Sequence, residues 1–325
     1  IMPSLVGSEM CIRDRPGIHH MTITHLITHS GGFHADELLS SAVLTRLFPA
    51  AQLLRSRDQL WLTPGSHKII YDVGGVYDVE AQVFDHHQRN GPLRKDGHPF
   101  SSFGLIWAHY GQDYLAAISI PDEDIEAIHA KFDIEFVMPI DLLDNGAIEP
   151  SVAGPLANLT LPALLESLKP VFDDTSSTAN DDAFFVALPI VRRFIEAILS
   201  GFAAEARALG IVKEAIDKAG TSQILELPTG MPYSSILDDV RADHILFVIH
   251  PRGNDWTLNG IKLSKYTFDQ RADLPASWAG LTGSALEVVT GVKGAKFCHN
   301  ARFIAVASTR EAILEMAHKA VQVVQ

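Results

Sequence analysis

Hydrophobic positions along the chain switch repeatedly between a period of two and a period near 3.6. Residues 22–28 (TITHLIT) alternate strictly and predict a strand. After Gly31 and Gly32, residues 34–48 place Leu38, Leu39, Ala42, Val43 and Leu47 on one helical face, and Pro49 ends the helix. Residues 52–54, 68–73 (KIIYDV) and 82–85 (QVFD) read as short buried strands. Helices are predicted over 102–110, with Ser101 or Ser102 as cap, and over 122–143, opened by Pro121 and interrupted at Pro139. Strands alternating with helices imply an α/β domain: a mostly parallel sheet with helices on both faces.

A polar stretch, 173–182 (DDTSSTANDD), reads as a linker, followed by a long helix over 183–219 that tolerates Pro189. Beyond it come strands near 223–227, 245–250 and 256–263. A hairpin is predicted over 295–299 and 302–307, with its turn at Asn300 and Ala301. The last helix starts at Ser308, which has capping-box spacing to Glu311. This organisation predicts a catalytic domain over 21–180 and a smaller α+β domain with its connecting helix over 181–325. Residues 1–20 show no amphipathic period and no signal-peptide pattern. They read as translated adapter sequence or a disordered tail, with Met21 as the expected start.

Composition narrows the class. The 325 residues carry 26 Lys+Arg against 39 Asp+Glu, and 47% are hydrophobic, enough for a sizeable core. A net charge of -13 disfavours coating nucleic acid by charge alone, yet permits a nuclease whose metal ions meet the phosphates. Residues 241–325 hold 10 Lys+Arg and 7 Asp+Glu, so the acid lies upstream. Two distant cysteines, Cys11 and Cys298, argue against a disulfide framework. No apolar run reaches the roughly 18 residues of a membrane span, and the default location is the cytoplasm.

Ten of the 15 histidines precede residue 110, and four of them fall in segments that also carry acids. His29, His34 and Asp36 sit in THSGGFHADE, Asp72 in YDVGG, Asp85, His86 and His87 in FDHHQ, and Asp141 and Asp144 in DLLDNG. In a parallel sheet the loops after strand C-termini converge on one crevice, so the four segments point to one edge. Taken alone, Asp36 could serve the helix dipole, Asp72 could shape a turn, and Asn145–Gly146 is an ordinary turn signal. Together, imidazoles with carboxylates suit Mn, Fe, Co or Zn, and their number suits two ions roughly 3.5–4 Å apart.

The order HxxxxHxD, strand-end Asp, DHH and a later Asp resembles the DHH phosphoesterase superfamily. These segments with FCHNARFIAVA resemble most closely its melanocyte-proliferating-gene exonuclease family, whose bacterial members are often labelled metal-dependent protein hydrolase. The resemblance implies one metal on His29, His34 and Asp72, and a second on Asp36, Asp72, His86 and Asp144 or Asp141, with Asp144 favoured. Asp85 would orient a histidine, and His87 would face the phosphate or act as an acid. His299 and Arg302 resemble a substrate-binding element, with Arg252 and Lys262 as further phosphate contacts.

The implied activity is phosphodiester hydrolysis by a hydroxide held between two divalent ions, Mn foremost, with Mg, Co or Zn as alternatives. The implied substrate is RNA or a short single-stranded oligonucleotide, shortened from the 3′ end; a homo-oligomer is left open. One rival is a small phosphoanhydride or cyclic-nucleotide hydrolase on the same metals. Another is a non-catalytic metal- or nucleotide-binding protein. A peptidase is disfavoured, since neither HExxH nor a nucleophile elbow occurs.

Overall fold

The computed structural model describes residues 22–324; the expected adapter segment and Cys11 lie outside them. Two compact units divide the chain between Leu199 and Ser200.

The first unit contains β1 (His25–Thr28), α1 (Ala35–Leu47), β2 (Gln52–Arg55), α2 (Gln59–Leu62), β3 (Lys68–Tyr71), β4 (Tyr77–Asp78) and β5 (Val83–Phe84). Then follow α3 (Ser102–Ala117), α4 (Asp122–Phe132), α5 (Met138–Asp144), α6 (Leu161–Glu166) and the start of α7 (Ala179–Ala219). The sheet order is β2-β1-β3-β5-β4, parallel except for β4. Register pairs Ile27 with Ile70, and both face a small core with Val83 beneath Trp61 and Leu62 of α2. The opposite face meets α1 and α3, where Tyr71 Oη lies 2.6 Å from Ser41 Oγ and Phe84 stacks edge-on against Tyr110. Helices thus cover both faces, unequally: a single short turn on one side and the main helical layer on the other.

Several sequence expectations shift in detail. Helix α1 is not amphipathic in effect, because Ala35 through Leu44 are buried all round, Asp36, Glu37, Ser40 and Ser41 included. The helix over 122–143 is not broken at Pro139. A π-helical turn at Asp133–Val137 sits one turn upstream, where the proline ring would otherwise collide with the backbone carbonyl of Glu135. Residues left without an expected element form a 3₁₀ stretch, Pro150–Leu159, and α6.

The second unit takes in the rest of α7, then β6 (Ile224–Glu226), α8 (Ser234–Asp239), β7 (Phe247–Arg252), β8 (Asp255–Gly260), α9 (Gly283–Thr290), β9 (Ala295–Cys298), β10 (Ile304–Ala307) and α10 (Arg310–Val324). Its sheet runs β6-β7-β8-β10-β9, antiparallel except for β6 on β7. One face packs on α9 and α10 around Leu258, Ala305 and Met316. The other meets α8 and the end of α7 through Val248, Leu237 and Val212. The last helix is capped one residue later than expected: Thr309 Oγ1, not Ser308, accepts the Ala312 N–H at 3.2 Å. Among the described residues no helix is long and apolar enough to cross a membrane.

Candidate metal centre

The site lies at the C-terminal edge of the first sheet, between β1 and β3. There the chain leaves β1 for β2 on one side and crosses to β3 on the other, which opens a crevice. His29 follows β1, Asp72 follows the central strand β3, and Asp85, His86 and His87 follow β5. Asp36 and Glu37 occupy the first turn of α1, and Asp144 is the last residue of α5. His29, Asp36, Asp72, Asp85, His87 and Asp144 line a cleft of about 620 Å³ together with Gly32, His34, Arg57 and Gly75.

Local chemistry explains each placement. Asp72 adopts φ +55, the left-handed region that Asp tolerates better than most residues, and Gly74 at φ +114 completes the turn. That reversal aims the Asp72 carboxylate back over the strand end. The Ser30–Gly32 bend, with Gly31 at φ +95, is clamped by Arg55. Its guanidinium donates to Gly31 O at 2.5 Å, pairs with Asp181 at 2.6 Å, and lies over the Phe184 ring.

Asp72 joins two groups of donors. Its Oδ2 is 3.1 Å from His29 Nε2, and its Oδ1 is 3.3 Å from His86 Nε2. On the first side, ligand atoms of His29, His34 and Glu37 gather within 4.8 Å of one another; on the second, those of Asp36, His86 and Asp144 do the same. Glu37 was not expected: its Oε1 is 3.1 Å from His29 Nε2, and the carboxylate accepts the His34 backbone N–H. The spacing of His34 to Glu37 is that of a capping box, the one signal in the sequence that ties Glu37 to the site.

Both oxygens of Asp36 and Oδ1 of Asp72 are buried with no hydrogen-bond donor. Burial, then the charges of Asp72, Asp144 and Glu37, push the Asp36 carboxyl well above its usual range. Burial would raise Asp72 too, but the imidazoles of His29 and His86 hold it down at about 2. Burial opposes the charged form of His29, yet hydrogen bonds to Asp72 and Glu37 raise it to about 10. Four carboxylates and two imidazoles thus share protons in a pocket whose orphaned oxygens ask for a cation. The donor set of hard oxygens and imidazole nitrogens fits Mn, Fe, Co or Zn.

Asp85 and His87 form a pair beside this cluster. Asp85 Oδ1 accepts from His87 Nδ1 at 2.7 Å, and Oδ2 accepts the Gly75 N–H at 2.6 Å. The His87 side chain is 61% exposed, so its Nε2 is left for solvent or substrate. Asn145, read from sequence as a turn residue, sits with its Oδ1 3.3 Å from His86 Nδ1 and donates to Phe100 O and Asp141 O. That contact holds the His86 ring so that Nε2 faces Asp72.

Of the two candidate late acids, Asp144 joins the cleft and Asp141 does not. Asp141 is buried beneath α3, where it accepts from Ser101 Oγ at 2.6 Å, Gly104 N at 3.1 Å and the Arg94 guanidinium at 2.6 and 2.9 Å. Ser101 therefore serves Asp141, and Ser102 donates to Phe84 O at 2.7 Å; neither side chain caps α3. A buried carboxylate takes every donor in reach.

The four expected substrate contacts lie in the second unit. His299 and Arg302 share the β9–β10 turn, with Arg302 in the left-handed region at φ +59 and paired to Asp273 at 2.6 Å. Lys262 follows β8 at the same end, since Gly260 N–H bonds Phe303 O. Arg252 pairs in register with Asp255 at the opposite end of β8. Six residues of strand, roughly 17 Å, separate it from the other three, so one phosphate cannot serve all four.

Known proteins resemble this chain over most of its length. Residues 25–321 match the MYG1_exonuc family model, described as "Uncharacterised protein family (UPF0160)". MYG1 protein C694.04c of Schizosaccharomyces pombe is 33% identical over 92% of this chain and 97% of its own. The MYG1 exonuclease of Bos taurus is 31% identical, over 93% and 86% respectively. Among solved structures, RecJ in complex with Mn2+ from Thermus thermophilus aligns at 13% identity over 92% of this chain and 52% of its own. Its TM-score of 0.25 is too low to bear on the site.

Proposed function

This chain belongs to the MYG1 exonuclease family, and from that membership and the acidic cleft we infer a metal-dependent exonuclease that shortens RNA or short single-stranded oligonucleotides from the 3′ end. One observation carries the reading: both oxygens of buried Asp36 and Oδ1 of Asp72 have no hydrogen-bond partner, with His86 Nε2 3.8 Å from Asp36 Oδ2 and 3.3 Å from Asp72 Oδ1. His29, His34 and Glu37 would hold one divalent cation, Asp36, His86 and Asp144 a second, with Asp72 shared between them. Such ions, Mn foremost, supply a nucleophilic water at neutral pH and offset the charge of the phosphate.

The chain's own groups do the rest. Asp85 raises the pKa of His87 through its hydrogen bond to Nδ1, so the imidazole carries a proton that Nε2 can give to the departing 3′-oxygen. Arg57, which lines the cleft, offers its guanidinium to the non-bridging oxygens of the scissile phosphate. In the second unit, Lys262, His299 and Arg302 are the groups suited to bind phosphates of the substrate. The His299 ring lies 4.4 Å from that of Phe303, itself 42% exposed, and this pair supports bases over a small phosphoanhydride as the occupant.

The test uses metal-stripped protein resupplied with Mn, with end-labelled short RNA and pyrophosphate in parallel. Stepwise loss from the 3′ end, absent in Asp36→Ala and His86→Ala, is expected. Phosphate release from pyrophosphate without RNA shortening would transfer the site to small phosphoanhydrides.

A further inference from the structure

The loop that follows β8 is built for display. It leaves the sheet at Lys262, which bridges to Gln270 across the neck, and Leu263 N–H donates to Asp269 O at 2.9 Å. Within the loop, Tyr266 N–H donates to Ser264 Oγ at 3.2 Å and Asp269 N–H to Thr267 Oγ1 at 3.0 Å. These bonds define the tip without covering it: Tyr266 is 87% exposed and Phe268 is 91% exposed. Each ring is accompanied by a lysine. Lys262 Nζ lies 5.2 Å from the Phe268 ring centre, and Lys265 Nζ lies 5.3 Å from that of Tyr266.

We propose that residues 262–270 form a clamp for single-stranded nucleic acid, with Tyr266 and Phe268 stacking on bases and Lys262 and Lys265 meeting the phosphates between them. The clamp rests on the exonuclease reading, since it gives that substrate a second place of contact. Every base offers a π face and every linkage a negative charge, so interleaved rings and ammonium groups bind a strand without reading its sequence. The rings already hold cations over their faces, which are the positions a base and its phosphate would share. The loop's root also meets the other expected contacts. Arg271 N–H bonds Ile261 O, and Asp273 two residues later pairs with Arg302 in the turn that carries His299. A lipid surface fits less well, because Ser264, Thr267 and Asp269 interrupt the apolar positions and the acid opposes an anionic membrane.

The full chain, with chelator present to prevent cleavage, is titrated into a fluorescein-labelled ten-nucleotide RNA and followed by anisotropy. Tyr266→Ala with Phe268→Ala weakens binding at least about tenfold, with no change in melting temperature, because neither ring is packed. Lys262→Gln and Lys265→Gln each lower the slope of log affinity against log salt by about 0.7. Tyr266→Trp retains binding, and the added fluorescence is quenched by RNA. Wild-type binding in the double alanine variant, with RNA still shortened by both proteins, would overturn the clamp and leave the exonuclease standing. A wild-type chain that neither binds nor shortens RNA overturns both. Loss of binding to phosphatidylserine vesicles in that variant, with RNA binding intact, assigns the loop to membranes and overturns the proposal.

Discussion

Asp36 sits in the first turn of a helix, where a carboxylate normally gains from the dipole, but here it is walled in by three other acids. Asp36→Asn removes the repulsion and keeps the shape. The metal-free variant should melt higher than metal-free wild type, while Mn no longer raises its melting temperature; calorimetry with and without Mn reads both. His29 gives a pH prediction. Its folded pKa is raised to about 10 from 6.5, so its stabilising pair with Asp72 and Glu37 is complete below pH 6.5 and is lost as pH rises through 10. Metal-free protein should therefore lose stability across that window. Because a metal must displace the same proton, Mn affinity should rise with pH, with proton release measurable by titration calorimetry in two buffers. Histidines and aspartates at strand ends were legible from sequence because the resemblance and the predicted sheet edge coincided. Glu37 was not, since HADE reads as an ordinary acidic helix start. Neither was Arg55, whose partners lie 24 and 126 residues away.

Asp141 and Asp144 lie one turn apart on α5, and which of them turns to the cleft depends on the phase of the helix. The π-helical turn before α5 shifts that phase, and no periodicity count over 122–143 includes it. The structure gives Asp141 to α3, at a contact so close that Gly104 admits no side chain: an added Cβ would lie 2.2 Å from Asp141 Oδ2. Gly104→Ala should destabilise the first unit by about 1–3 kcal/mol, as overpacking does, and shift the denaturant midpoint accordingly. Activity measured at a temperature where the variant is folded should fall too, because Asp144 and Asn145 follow Asp141 on the same helix end. The strands over 52–54 and 68–73 were readable since each is a short apolar run bounded by turn residues. Helices α8 and α9 escaped, being six and eight residues long.

At the scale of the molecule, alternating strands and helices announced the first unit's parallel sheet, whereas the polar stretch at 173–182 precedes α7 and the two units divide within that helix, between Leu199 and Ser200. Residues 150–172 stayed unread because their apolar side chains, Val152, Leu156 and Phe172 among them, are exposed and follow no single period. A chain folded around a pocket of acids should depend on what fills it. Saturating Mn, at about a hundredfold over its Kd, adds about 2.7 kcal/mol to stability for each ion bound, and a chelator should reverse the accompanying rise in melting temperature. Crystals grown with Mn, measured at the Mn absorption edge, test the account most directly. It predicts two anomalous peaks in the cleft, one on each side of Asp72, with Glu37 and His34 at the first and Asp144 at the second. A cleft without anomalous density, with Asp36 and Asp72 hydrogen-bonded to each other through a shared proton, would contradict it.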